Sequence, residues 1–246
     1  SLKASVRLLV GGIWWGISRT TAMARLNAQY QTESELVYNV QSARRTKYRA
    51  NCATRGLVMI KLYGLRMSNY YSLTKALLIE KGLDFEEVTA PPTQESDNLA
   101  RTPMGKMPSI EMDGRFMSES LAIFNYLERL QPEPALLPKD PFASGKTLEL
   151  ACHIKLDVEL VARRFLPEVL FKKPVSDETK KQVTADLKKG MAAIERIAVY
   201  EPYIAGNEFT IADLYAFYCF GLAGQMAQAV IGVDIMEGQP KLTELL

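Results

Sequence analysis

The residues best equipped for chemistry lie in one stretch, Gly105-Lys-Met-Pro-Ser-Ile-Glu-Met-Asp-Gly-Arg-Phe-Met-Ser-Glu-Ser-Leu-Ala-Ile123. Asp113-Gly114 is a strong two-residue hairpin signal, because both turn positions need φ > 0. The stretch therefore reads as two short strands around a tight turn, followed by a helix entered through Ser118-Glu119-Ser120. A helix start exposes unpaired N–H groups; Ser, Glu and Ser there supply a side-chain cap and leave N–H groups to hold an anion. Pro108 opens the first strand without a ladder donor, and a cis bond before it would turn the preceding main chain outward. A floor of main chain beside a helix N-terminus suits a small peptide carrying a carboxylate at one end.

The elements around this stretch form a small α/β layer. Ile60–Gly64 is a short apolar strand ended by glycine. Residues 68–82 read as a helix, with Ser68 a good N-cap, Leu73, Leu77 and Leu78 close to one face, and Gly82 as its stop. Phe85–Thr89 alternates as a second strand, completing a βαβ unit whose crossover is right-handed. A short polar helix near Gln94–Leu99 precedes the hairpin, and the helix after it runs to about Leu130, giving the order β-α-β-α-β-β-α.

Pro132, Pro134, Pro138 and Pro141 then mark a linker over 132–142, separating a domain at 58–131 from an all-helical one at 143–246. Leu150, Ile154, Val158, Val161 and Phe165 follow helical spacing, as do Val183, Leu187, Met191, Ile194 and Ile197 after a start at Ser176. Phe209-Thr210-Ile211-Ala212-Asp213-Leu214 is a capping box with staple residues, structural in role. The helix it opens, Ile211 to about Ile231, is apolar on nearly every side. Asp213, Gln225 and Gln228 interrupt it, which favours the centre of a bundle over a membrane span.

Composition narrows the function classes. The chain has 246 residues, 48% hydrophobic and 24% charged, enough to bury a sizeable core. Its net charge of +2 is the balance of +7 on residues 1–56 and −5 on the remainder. The mildly acidic body argues against nucleic acid as a partner. Cys52, Cys152 and Cys219 are far apart and form no C-x-x-C, so neither a dithiol centre nor a cysteine metal site is supported, and the usage fits a reducing compartment. The lone histidine, His153, sits in a helical pattern and supports no His-based triad.

Residues 1–57 differ from the rest. Lys3 and Arg7 precede an apolar run, Leu8 to Ile17, and then Ala22-Met23-Ala24, a pattern that looks like a targeting segment. The alternative, preferred here, is an upstream extension before a start at Met59, outside the fold. Leu8–Ile17 is too short to span a bilayer.

In this order and spacing, Gly105-Lys106-Met107-Pro108, Ser118-Glu119-Ser120-Leu-Ala-Ile123 and the Phe209–Asp213 box make residues 59–246 resemble the cytosolic glutathione S-transferases, nearest the bacterial theta-like and beta-like classes. The resemblance implies an α/β thioredoxin-like N-terminal domain, an all-α C-terminal helical-bundle domain, a cis bond before Pro108, and one or two further helices after Leu246. It also implies a glutathione site. Glu119 would meet the α-amino group of the γ-glutamyl end and Ser120 its carboxylate. Met107, beside Pro108, would pair through its backbone with the cysteinyl main chain, and Lys106 would reach the glycyl carboxylate. In this family a hydroxyl after the first strand donates to the glutathione sulfur and favours the thiolate over a thiol of pKa about 8.5. Ser68 in Met67-Ser68-Asn69-Tyr70-Tyr71 holds that place, with Tyr70 as runner-up and Asn69 assisting. Tyr63 fits the tyrosine-class position poorly. The beta-like cysteine position holds Asn69, which leaves a glutathione-dependent reductase without its thiol.

The implied activity is transfer of the glutathione thiol to an alkyl or aryl electrophile, as in detoxification. It would take place in a cytoplasmic homodimer, with glutathione as co-substrate, no tightly bound cofactor, no metal and no membrane. Arg66, Met67 and Phe165 are the expected walls of a pocket for a hydrophobic electrophile. The alternative is a non-catalytic module of the same fold, serving ligand carriage or protein assembly.

Overall fold

A computed structural model describes residues 59–246. Residues 1–57, expected to stand apart from the fold, lie outside the described residues, as does Cys52. The described chain forms two compact units that divide between Pro134 and Ala135.

The first unit is built on a four-stranded sheet of order β2-β1-β3-β4. Strand β1 (Ile60–Gly64) runs parallel to β2 (Phe85–Thr89) and antiparallel to β3 (Ser109–Met112), which pairs with β4 (Arg115–Ser118). Helix α1 (Asn69–Glu80) makes the β1-to-β2 crossover, α2 (Ser96–Arg101) precedes β3, and α3 (Ser120–Leu130) follows β4. Asp113 and Gly114 both adopt positive φ, 51° and 72°, as a tight Asp-Gly hairpin requires. The order matches the sequence reading, and the sheet with its helices is thioredoxin-like.

Register decides which face is buried. Ile60 pairs with Met112 and Leu62 with Ile110, so these apolar side chains share one face. All are buried, together with Leu73, Leu77 and Leu78 of α1 and Ile123, Phe124 and Leu127 of α3. Each such side chain contributes about 1.5–3 kcal/mol through burial. The same core encloses a charge. The Lys81 side chain, just past α1, is fully buried; its Nζ pairs with the Glu128 carboxylate of α3 and donates to the Pro134 carbonyl at 2.7 Å.

The second unit is all helical. Helix α4 (Pro141–His153) begins within the expected linker, because the Asp140 carboxylate caps it by accepting from the Ala143 N–H at 2.7 Å. It continues as a π-helical segment, Ile154–Glu159, then through single turns into α5 (Leu166–Phe171). The buried stripe is Leu150, Ile154, Val158, Ala162 and Phe165. Ala162 takes the place expected for Val161, because i→i+5 bonding widens the turn and lets a spacing of four hold one face. Helix α6 (Asp177–Ile197), capped by Ser176, comes so close that a Cβ on Gly190 would lie 2.3 Å from the Asp157 carbonyl oxygen.

Helix α7 (Ile211–Ile231) is long and apolar enough to cross a membrane by length and composition. It buries Leu214, Tyr215, Cys219, Phe220 and Met226 against the other helices of the unit, so it forms their centre. The expected capping box opens it: Thr210 N–H and Oγ1–H donate to Asp213 Oδ2 at 2.8 and 3.0 Å, and Ile204 N–H donates to Oδ1 at 2.9 Å. Burial raises the Asp213 carboxyl above the usual range, against the pull of these donors. A short α8 (Pro240–Leu245) follows.

Replacing Lys81 by Met leaves the Glu128 carboxylate half-enclosed beside an apolar chain. Denaturant unfolding should show a loss of about 3–5 kcal/mol; a change below 1 kcal/mol would mean the pair does not hold α1 to α3.

Candidate active site

Strand register gathers the candidate residues at one end of the first unit. Ser109 is paired both with Tyr63 of β1 and with Ser118 of β4. The end of β1, the start of β3 and the end of β4 therefore lie side by side. The chain leaving β1 passes through Leu65-Arg66-Met67 to Ser68, the chain reaching β3 arrives through Gly105–Pro108, and the chain leaving β4 enters α3 at Glu119-Ser120. Gly64, at the end of β1, lies close to both sides: a Cβ built on it would lie 2.5 Å from the Tyr71 ring and 3.4 Å from the Met107 Cβ.

Ser68 is the N-cap of α1, with extended backbone, and its Oγ accepts from the Tyr71 N–H across a long 3.4 Å. Its own N–H donates to the Leu65 carbonyl at 3.0 Å, closing the turn after β1. A hydroxyl carries one O–H and two acceptor lone pairs, and a cap of this kind uses only a lone pair. Capping and donation to a ligand are thus compatible at Ser68. Asn69 is fully buried beside it, whereas Tyr70 is half-buried and its carbonyl accepts from Thr74 Oγ1 at 2.8 Å.

The loop bearing Ser68 is gripped from β2. The Glu87 carboxylate accepts from Tyr71 O–H at 2.7 Å, from Lys75 Nζ at 2.8 Å and from Arg66 Nη2 at 3.3 Å. Burial acts to raise the Glu87 carboxyl, but these donors and the Lys75 and Arg66 charges outweigh it and hold it below the usual range. The Tyr71 phenol moves the other way, raised by burial first and then by its bond to Glu87. Glu87 pairs with Leu62 and so shares its inward face. Sequence alternation marks this position as inward; the missed signal is a carboxylate standing where an apolar residue is expected.

The second segment is shaped by backbone. The Met107–Pro108 bond is cis, and Gly105 has φ 63°. A Cβ on Gly105 would lie 2.3 Å from the Thr93 carbonyl oxygen. The ladder of β3 begins at Ser109, so the Met107 main chain lies beyond the paired register, and Lys106 before it is exposed. Pro108 is buried.

Glu119 departs from expectation. It occupies the N-cap of α3 with φ 69° and ψ 116° and makes no side-chain capping bond, unlike the extended N-caps Ser68, Asp140, Ser176 and Thr210. A non-glycine residue in this region costs of order 1–3 kcal/mol and persists where its surroundings over-determine it, often at functional sites. Glu119 is exposed, and Ser120, the first residue of α3, is buried.

The remaining candidates are more scattered. Tyr63 lies on the opposite sheet face, donates to Glu111, stands edge-on to Phe116 at 6.1 Å and lies beneath Arg101 at 5.3 Å. Arg66 is exposed and held by Glu87, and Met67 is exposed. Phe165, in the other unit, is fully buried.

The profile described as "Glutathione S-transferase, N-terminal domain" matches residues 62–135. A curated glutathione S-transferase from Pseudomonas putida is 39% identical over 188 residues, covering 76% of this chain and 86% of that one. The chain belongs to the glutathione S-transferase family. Another relative, a maleylacetoacetate isomerase from Pseudomonas aeruginosa, is 26% identical over 164 residues, covering 63% of this chain and 77% of the relative. A crystal structure of a glutathione S-transferase from Pseudomonas fluorescens shares the fold, with a TM-score of 0.65 and 23% identity over 77% of this chain and 92% of its own. The glutathione S-transferase fold is thus present, with the Ser68, Met107 and Glu119 segments adjoining at one end of its sheet.

Two outcomes test this geometry. Gly105→Ala forces a Cβ onto a carbonyl oxygen at positive φ; thermal or urea melts should show a loss of about 2–4 kcal/mol. Burial, and then Glu111, push the Tyr63 phenol up from 10.0 to about 12. The raised folded value means its stabilisation is complete below pH 10 and is lost as pH rises towards 12. Phenolate absorbance of the protein minus that of Tyr63→Phe should titrate near the upper value, and Glu111→Gln should bring it part of the way down.

Proposed function

We propose that this protein is a glutathione transferase whose Ser68 hydroxyl donates a hydrogen bond to the glutathione sulfur and so favours the thiolate. The observation that carries the reading is the use of Ser68 as a cap through a lone pair, which keeps its proton for a ligand at the end of β1. The N-terminus of α1 adds positive potential next to that position.

The other residues have complementary roles in this reading. Ser120, at the start of α3, receives the γ-glutamyl carboxylate through its hydroxyl and N–H, and Glu119 meets the α-amino group. The Met107 main chain, beyond the β3 ladder, pairs with the cysteinyl residue, with Pro108 fixing its course. Lys106 reaches the glycyl carboxylate, and Asn69 steadies the sulfur-binding turn. The thiol releases its proton to solvent. The thiolate pair then forms a carbon–sulfur bond, and the electrophile either expels a leaving group or accepts the electron pair into its π system. Positioning and sulfur stabilisation supply the catalysis, with no covalent enzyme intermediate.

Arg66 and Met67 are exposed beside Ser68 and form the near wall for a hydrophobic electrophile. The likeness to a maleylacetoacetate isomerase is consistent with an unsaturated substrate to which the same thiolate adds. The reading extends to a cytoplasmic homodimer acting in detoxification.

Ultraviolet difference absorbance of bound glutathione against pH is the test. Wild type should give a thiol pKa well below about 8.5. Ser68→Ala should return it towards that value and lower kcat/KM about 100- to 1,000-fold. An unchanged thiolate in Ser68→Ala would move the role to Tyr70. A wild type that binds glutathione without thiolate would favour a non-catalytic binding module.

A further inference from the structure

We propose that Glu87 is the positioning residue for Ser68, gripping the chain on both sides of it; this rests on the reading of Ser68 as the sulfur donor. Its partners are Arg66, two residues before Ser68, and Tyr71, three residues after. Tyr71 is also the residue whose N–H donates to the Ser68 hydroxyl. One carboxylate on β2 thereby ties the turn ahead of Ser68 to the helix behind it, and Lys75 completes the set one turn further along α1.

The packing leaves little slack. Tyr71 is buried, with its ring against the end of β1 where Gly64 has φ 154° and no room for a Cβ. A buried phenol needs an acceptor, and Glu87 provides it. If that bond is lost, the ring can shift, and with it the amide that orients the Ser68 oxygen. An inward charge on an edge strand also discourages strand addition, but that role would need no partner in the Ser68 turn. The Arg66 pair is largely exposed, and such pairs add little to stability. Its use is to fix the turn.

A misplaced sulfur donor raises the bound thiol's pKa and lowers kcat. It leaves glutathione affinity nearly intact, because Lys106, Glu119 and Ser120 reach the ligand from other segments. Displacements of about 1 Å at such distances can cost up to about 100-fold.

The experiment compares Glu87→Ala, Glu87→Gln, Tyr71→Phe, Ser68→Ala and the Ser68→Ala/Glu87→Ala double variant. Each is checked for folding by circular dichroism, then titrated with glutathione and assayed with an activated aryl halide. The expected result is a bound-thiol pKa raised by about one unit and kcat lowered about 10- to 100-fold in Glu87→Ala and Tyr71→Phe. Glutathione KM should stay within about threefold of wild type. Glu87→Gln, which keeps an acceptor for Tyr71, should recover most of the loss. The double variant should be no worse than Ser68→Ala, since the two act through one group. If Ser68→Ala shifts the thiol but Tyr71→Phe and Glu87→Ala do not, the positioning role is overturned and the Ser68 reading stands. If Ser68→Ala shifts nothing, the Ser68 reading falls and this inference falls with it. Should Glu87→Ala fail to fold, Tyr71→Phe, which removes one oxygen, decides alone.

Discussion

Strand β1 lies between a parallel neighbour and an antiparallel one, and once Ile60 and Leu62 are buried it can slide against neither. A slip of one residue would carry both side chains to the opposite face, beside Lys61 and Tyr63. This register sets where β1 ends, and hence where the turn to Ser68 begins. It also fixes Ser109 opposite Tyr63, and through Ser109 the exit of β4. Three chain segments that are far apart in sequence meet because one apolar strand accepts a single pairing.

Much of this was legible in the residues. Asp113-Gly114, the Ser68 and Ser176 caps and the Thr210–Asp213 box are local chemistry, and each appears where the sequence puts it. The features that sequence did not reveal are those whose cause is tertiary. Nothing local marks Glu119, at the junction of the hairpin and α3, for its positive φ. Glu87 looks like one more charge in an alternating strand until Tyr71, Lys75 and Arg66 converge on it.

The two units reach order by different means. In the first, sheet pairing supplies most of the geometry, and a buried Lys81 fastens α1 to α3 and to the Pro134 carbonyl. In the second, helix termini set the frame: Asp140, Ser176 and Thr210 each begin a helix with a side-chain oxygen on a backbone N–H. The Asp213 carboxylate joins the last of these to Ile204, before α7 fills the centre.

The wide turn at Ile154–Glu159 and the bare backbone at Gly190 belong to one another. Without one residue of that turn, everything after it would rotate by about 100° about the helix axis, carrying Phe165 off the buried face. A β-carbon at 190, with the wide turn retained, would jam against the Asp157 carbonyl oxygen. The wide turn sets which residues face inward, and the bare backbone at Gly190 leaves room for the carbonyl that the turn presents to α6.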